Sequence, residues 1–81
     1  METVVIEKVV APIAQKVLYM VYRASQGRPY ATFWETEEFA INSADRMALR
    51  EGITAVVRMD STVRNDESGI MERAGLSLAR W

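Results

Sequence analysis

The acidic residues Glu35, Glu37 and Glu38 form the densest group of possible metal ligands in this 81-residue chain. On a strand, Glu35 and Glu37 would point to the same face about 7 Å apart, a spacing that two ligands of a hard divalent cation can use. Such an ion takes about six oxygen ligands or more, which exceeds what this group supplies. Zinc is disfavoured as well, because the chain contains neither cysteine nor histidine. We therefore expect no metal site and no cofactor. The group is interpreted as a solvated strand end or as an acidic patch for a basic partner.

Catalytic chemistry has few candidate groups in this sequence. The absence of cysteine and histidine removes the usual activated nucleophile and the usual base at neutral pH. A serine nucleophile would need a lysine base, and neither Lys8 nor Lys16 stands in a recognisable motif with a serine. The glycine-rich motifs that bind phosphate are absent too. We expect that the chain is not an enzyme.

Aromatic side chains are concentrated around a predicted hairpin and are more informative. Phe33 and Trp34 are adjacent, so on a strand they must face opposite sides of the sheet. We expect Phe33 in the main core alongside Met47 and Val57. Trp34 is then expected on the second face, where an aromatic surface with nearby arginines has the composition of protein–protein hot spots. The predicted partner-binding residues are Tyr22, Arg28, Tyr30, Trp34, Glu35 and Glu37.

The sequence leaves open what covers this second sheet face. Residues 3–15 could fold over it, or a partner could occupy it. A homodimer is expected, because 49% of the residues are hydrophobic and one short helix cannot cover both faces. The alternative partner is single-stranded nucleic acid, whose bases stack on aromatic sheet faces. The glutamates beside Trp34 oppose the positive field that such binding needs, so a protein partner ranks first.

The elements that would position these residues follow an α+β pattern. Residues 3–10 are rich in β-branched side chains and predict a strand. Residues 16–24 are interpreted as a second strand, although residues 13–24 also fit helical spacing. A turn at 25–29 and a returning strand over 30–36 complete the hairpin.

One short helix and two further strands are predicted in the second half of the chain. Asn42 and Ser43 are suitable N-caps for a helix over 43–51, and Gly52 stands where a C′ glycine belongs. The remaining elements are a strand at 53–59 with Ile53, Ala55, Val57 and Met59 facing the core, a polar loop at 60–69 and a last strand at 76–81. The prediction is a single domain over residues 1–81. Its fold is a small antiparallel sheet of four or five strands with one short helix packed on one face, in the order β-β-β-α-β-β.

Composition and charge disfavour several classes of protein. The net charge of −1 offers no general field for nucleic acid, and no apolar run approaches the length of a membrane span. The acidic start Met1-Glu2 does not look like a secretory signal, so a cytoplasmic location is expected. In size and lack of catalytic motifs the chain is similar to small accessory proteins of phages and mobile elements, including anti-CRISPR proteins, although no residues match. That similarity implies a non-enzymatic protein that sterically blocks a larger host complex.

Overall fold

The computed structural model describes residues 2–65, 69–70 and 72–74, and the predicted last strand over 76–81 lies outside them. Most of the described chain belongs to four strands and one long helix: β1 (Thr3–Ala11), β2 (Lys16–Arg23), β3 (Thr32–Trp34), α1 (Glu37–Glu51) and β4 (Ala55–Val63). The strands form one sheet in the order β3-β2-β1-β4, and α1 packs against it. The predicted α+β class, with a small sheet and one main helix, is confirmed.

The sheet is mixed, which corrects the expectation that all its strands are antiparallel. β1 pairs with β2 and β2 pairs with β3 in antiparallel fashion, whereas β4 runs parallel to β1. The crossover through α1 explains this difference, because a helix between two strands of one sheet lets both strands run in the same direction. β3 and β4 therefore share a direction. Since β3 and β1 are both antiparallel to β2, β4 is parallel to β1.

Helix α1 begins earlier than the sequence predicted. Thr36 is its N-cap, and the Thr36 hydroxyl accepts a hydrogen bond from the backbone N–H of Phe39 at 3.3 Å. Glu37 in the first turn adds negative charge at the positive end of the helix dipole. The predicted caps Asn42 and Ser43 instead lie inside the helix. They are residue types that favour the N-cap position, but they do not occupy it.

Gly52 ends α1, as predicted. Its φ of 68° is left-handed, and its N–H is directed at the carbonyl oxygens of Ala48 and Leu49. Between the two ends, alanines at every fourth position are buried against the sheet: Ala40, Ala44 and Ala48. These small side chains let the helix axis lie close to the strands.

We call the side of the sheet that α1 covers the helix face. Its core contains Val4, Ile6, Val21 and the three alanines of α1, with Tyr19, Trp34, Ile41, Met47 and Ile53 packed against it. Trp34 is thus partly buried beside α1, and its indole N–H donates to the Thr32 hydroxyl at 2.8 Å. The expectation that Trp34 lies on an open second face is wrong.

We call the opposite side the ionic face, because it buries the carboxylate of Glu7. Phe33 is 0% exposed in the core on this side, so it does not share a core with Met47 on the helix face. Residues 69–70 and 72–74 are helical, and Ile70 and Ala74 are buried in the same cluster as Phe33. A later segment of the chain, and not residues 3–15, therefore covers the second face. Because this segment covers the second face, the dimer expected from an uncovered sheet face has lost that argument.

β3 and β4 differ from the prediction in extent. The returning strand of the hairpin has three residues, because Arg28–Tyr30 form a 3-10 turn before it. β4 continues to Val63, into the predicted loop at 60–69. Val57 and Met59 share the ionic face with Val5 and Glu7 by register, but they stay partly exposed and lie outside the core, and β4 is the last strand of the sheet within the described residues.

Candidate functional site

The six predicted partner-binding residues do not form one surface. Tyr22 and Arg28 meet at Glu7 on the ionic face, where Tyr22 is buried. Tyr30 follows in the 3-10 turn and is 70% exposed. The other three lie around the start of α1: Trp34, Glu35 and Glu37. The sheet therefore separates Tyr22 and Arg28 from Trp34.

Glu7 is a carboxylate with 0% exposure in the central strand β1. The Tyr22 hydroxyl donates to Oε1 at 2.9 Å, and Arg28 donates from Nε to Oε1 at 3.0 Å and from Nη2 to Oε2 at 3.2 Å. Arg64, just after β4, places Nη2 3.8 Å from Oε2. The Arg28 contact is bidentate, the geometry in which a guanidinium binds a carboxylate most strongly.

The charge state of this cluster follows from two opposing effects. Burial raises the pKa of Glu7, but hydrogen bonds from Arg28, Thr62 and Tyr22 together outweigh it, so the pKa lies below its ordinary value. Burial and the hydrogen bond to Glu7 raise the pKa of Tyr22. Glu7 is therefore ionised at neutral pH and its oxygens are already occupied by donors. Such a carboxylate is suited to holding structure and not to transferring protons.

Arg28 connects Glu7 to the segment that covers the ionic face. The guanidinium of Arg73 donates to the carbonyl oxygen of Arg28 and lies over the Phe33 ring, with its Cζ 5.1 Å from the ring centroid. Glu7, Arg28 and Arg73 thus link β1, the 3-10 turn and residues 72–74. Their arrangement fixes the turn from which Tyr30 projects.

Sequence reasoning missed Glu7. The available signal was a charged pair, Glu7-Lys8, inside a run of β-branched residues, because adjacent strand residues must point to opposite faces. Its partners Tyr22 and Arg28 lie 15 and 21 positions later in the chain. No local pattern links residues at those distances, so the pairing depends on the folded sheet.

Three valines form a row on the helix face beyond the N-terminus of α1. The register places Val10 of β1 between Val17 of β2 and Val63 of β4. By strand alternation Val10 and Val17 share a face with Ile6 and Val21 of the core, and the register shift in β4 brings Val63, the partner of Val10, to the same face. Val17 is 41% exposed and Val63 is 64% exposed, whereas Val10 between them is half-buried. We call Val17, Val10 and Val63 the valine row.

Two short connections explain why α1 leaves the valine row open. Residues 35–36 alone separate β3 from α1, so the helix starts beside Trp34, whose partner in β2 is Tyr19. Residues 52–54 alone separate α1 from β4, whose first residue pairs with Thr3 at the far end of β1. The helix therefore runs from the middle of the sheet away from the β1–β2 turn.

A charged pair lies on the same face of the sheet as the valine row, because Arg58 of β4 is the register partner of Ile6 and forms a salt bridge with Glu37. Lys16 alternates with Val17 in β2 and therefore points to the ionic face, and it forms a salt bridge with Glu35 at 3.6 Å. Ile13 is exposed in the β1–β2 turn. An apolar centre with a polar rim is the usual anatomy of a protein–protein interface. The valine row with this rim is the candidate functional site.

The acidic group of the sequence is not arranged as two ligands on one strand face. Glu35 precedes α1, whereas Glu37 and Glu38 lie in its first turn. Lys16 and Arg58 pair with the first two of them. Within residues 2–65, 69–70 and 72–74, no three His, Cys, Asp or Glu side chains are grouped so that they could hold a metal ion.

Among the helices of the described residues, none has both the length and the apolar character needed to cross a bilayer.

Comparison with known proteins adds no functional assignment. No family model, curated protein sequence or solved structure matches the chain. Function must be argued from the geometry of the valine row and its charged rim.

Proposed function

We propose that this chain is a small non-enzymatic domain that binds a protein partner through the valine row. The observation that carries the proposal is the exposure of Val17 and Val63 in one row beyond α1. Full burial of an aliphatic side chain contributes about 1.5–3 kcal/mol relative to exposure, so a partner that covers the row recovers that contribution. In this proposal the chain acts in the cytoplasm as an accessory or inhibitor protein of a phage or mobile element.

The mechanism is steric. The valine row rests on three hydrogen-bonded strands, so its side chains need little ordering when a partner docks. The pair Arg58–Glu37 on the helix face can align with charges of the partner and select its orientation. A rigid patch of this kind blocks a surface of a larger complex by occupying it.

Charge pairing favours a protein partner over nucleic acid. Five arginines form ion pairs with glutamates, which reduces the positive charge available to phosphates: Arg23, Arg28, Arg50, Arg58 and Arg64. Phe33 is buried and Trp34 packs against the helix-face core, whereas a base-stacking platform needs exposed rings. The nucleic-acid alternative therefore has less support.

Affinity capture from the source cell, with and without nuclease, tests this proposal. The tagged chain is the bait, Val17→Lys is the test variant and Leu49→Lys is the matched control. Leu49 lies on α1 and is 86% exposed, so the control adds the same charge away from the valine row. Thermal melts of both variants establish that they are folded.

We expect the wild-type chain and Leu49→Lys to retain the same protein in both extracts. Val17→Lys should retain about tenfold less of it, the change expected from a loss of about 1.4 kcal/mol at an interface centre. Capture that requires intact nucleic acid would favour the nucleic-acid alternative. Equal capture by the two variants would refute the valine row as the binding surface.

A further inference from the structure

Lys8 is a half-buried cation next to the valine row. Its neighbours in β1, Glu7 and Val9, both point to the ionic face, so by alternation Lys8 points to the helix face. Val10, the middle residue of the valine row, is two positions further along β1, which places the two residues about 7 Å apart on that face. A partner that covers Val10 therefore comes close to Lys8.

The ammonium group of Lys8 has no carboxylate partner in the part of the chain that the structure describes. None of the ion pairs there includes Lys8. Its register partner in β2 is the uncharged Tyr19. The register shift of β4 places Asp60 opposite Lys8, but Asp60 is exposed and forms no ion pair with it. Glu37, on the same side of the sheet, is already paired with Arg58.

Binding at the valine row changes the surroundings of this ammonium. A partner surface that excludes water from Val10 also removes water from Lys8, which its own chain has already half-buried. An ammonium that loses water without gaining an acceptor is destabilised by more than the burial of one aliphatic side chain contributes. Binding is therefore favoured only for a partner that supplies the acceptor.

We propose that the partner presents a carboxylate to Lys8, from an aspartate or glutamate that flanks the apolar side chains seated on the valine row. This inference rests on the proposed function and specifies the chemistry of the protein that binds. The pair selects against proteins without a carboxylate at that position, because they leave the ammonium unpaired. Glu37 and Asp60 repel further negative charge on this side of the sheet, so one placed carboxylate is favoured over a generally acidic surface.

The contact segment of the partner provides the first test. The probe is the protein that the wild-type chain retains and Val17→Lys loses in affinity capture. A benzophenone amino acid at position 17 is cross-linked to this protein, and mass spectrometry identifies the segment. We expect an aspartate or glutamate within about three residues of the cross-linked position, since Lys8 lies one strand and two positions from Val17. A contact segment without a carboxylate would overturn the inference.

Substitution of Lys8 provides the second test, with the same protein purified and titrated calorimetrically. Lys8→Met removes the charge and keeps an unbranched side chain, whereas Lys8→Arg keeps the charge. Lys16→Met is the matched control, because Lys16 is the only other lysine and points to the ionic face. We expect Lys8→Met to bind about tenfold more weakly or worse, and Lys8→Arg and Lys16→Met to bind as the wild-type chain does. Thermal melts establish that each variant is folded.

A double-mutant cycle completes the test. Replacing the partner's carboxylate by its amide should not weaken Lys8→Met further, because both changes remove the same pair. Equal binding by Lys8→Met and Lys16→Met would overturn the inference and leave the proposed function standing. An Asp60→Asn variant as weak as Lys8→Met, without coupling to the partner's carboxylate, would identify Asp60 as the acceptor and overturn it too. Retention of the protein by Val17→Lys would refute the proposed function and this inference together.

Discussion

Both faces of the sheet bury side chains of β1, but one face buries a charged residue and the other buries only apolar residues. On the ionic face, β1 contributes Val5, Glu7 and Val9, and the buried carboxylate of Glu7 binds Arg28 and Tyr22. On the helix face, β1 contributes Val4 and Ile6, which pack against an alanine stripe of α1. The ionic face is covered by residues beyond β4, whereas the helix face is covered at one end and carries the valine row at the other.

This difference teaches where variation is tolerated and where a partner can bind. A buried ion pair requires each donor in place, because a carboxylate left without its partner retains the full cost of desolvation. The ionic face therefore depends on several specific residues at once. Contacts between alanines and valines have no such directional requirement, so the helix face can end at the valine row without leaving a buried polar group unpaired.

The largest effect is expected from emptying the core of the ionic face. Phe33→Ala removes a ring with 0% exposure, and we expect a loss of about 3–5 kcal/mol in the free energy of unfolding, enough to unfold so small a domain. Tyr30→Ala is the matched control, since Tyr30 is exposed and should change stability by less than about 0.5 kcal/mol. Urea denaturation measures both variants. A folded Phe33→Ala chain of unchanged stability would contradict the assignment of its face.

Breaking the ion pair should have the next largest effect. Arg28→Ala leaves the Glu7 carboxylate buried with Tyr22 and the more distant Arg64. We expect a loss of about 2–3 kcal/mol, below the value for a fully buried pair because Arg28 is itself 44% exposed. Glu7→Gln/Arg28→Ala removes the unpaired charge and should recover part of the loss in the same denaturation assay. A double variant less stable than Arg28→Ala would show that the unpaired charge is not the cause.

On the helix face, a larger side chain in the alanine stripe of α1 is expected to destabilise the fold. Ala44→Leu forces a larger side chain between α1 and the sheet, and we expect a loss of about 1–3 kcal/mol. Asn42→Leu adds a leucine to an exposed position of the same helix and should change stability by less than about 0.5 kcal/mol. Equal denaturation midpoints for the two variants would mean that α1 does not lie close to the sheet at Ala44.

The smallest effect is a dependence on pH that distinguishes the ionic face. The pKa of Glu7 is lower in the folded chain than in the unfolded chain, so its ionised form stabilises the fold above about pH 4.3. That stabilisation is lost as the pH falls through the folded pKa. Glu2, whose pKa is lowered to about 2 chiefly by a hydrogen bond from Ser25, behaves in the same way.

The Glu7→Gln variant isolates the contribution of Glu7, because Glu2 is present in both chains. Between pH 5 and pH 3, the free energy of unfolding should fall more steeply for the wild-type chain than for Glu7→Gln. Urea denaturation across this range provides the comparison. Parallel pH profiles would show that Glu7 has the same pKa in the folded and unfolded chains.

Local patterns predicted the elements better than the contacts between them. The β-branched run of β1, the strand interpretation of β2 and the glycine at the end of α1 are determined by nearby residues, and these predictions are confirmed. The start of α1 was predicted wrongly, because Asn42 and Ser43 have the composition of caps and Thr36 performs that role.

The candidate site was less predictable than the fold, because it depends on register and chain direction. Alternation correctly separated Phe33 from Trp34, but it could not say which ring faces α1. The valine row requires Val10, Val17 and Val63 to align across three strands, including a parallel pair that was not predicted. Trp34, Glu35 and Glu37 were predicted as partner-binding residues, and all three make intramolecular contacts: Trp34 packs against the helix-face core, Glu35 pairs with Lys16 and Glu37 pairs with Arg58.

The central claim is that a protein partner docks on the valine row, and site-specific photo-cross-linking in the source cell tests it most directly. A benzophenone amino acid is placed at position 17 in one chain and at position 49, on the exposed side of α1, in another. The account predicts that position 17 forms a covalent adduct with a second protein, heavier than a dimer of the 9.2 kDa chain, and that position 49 does not. Adducts from position 49 without adducts from position 17 would contradict it.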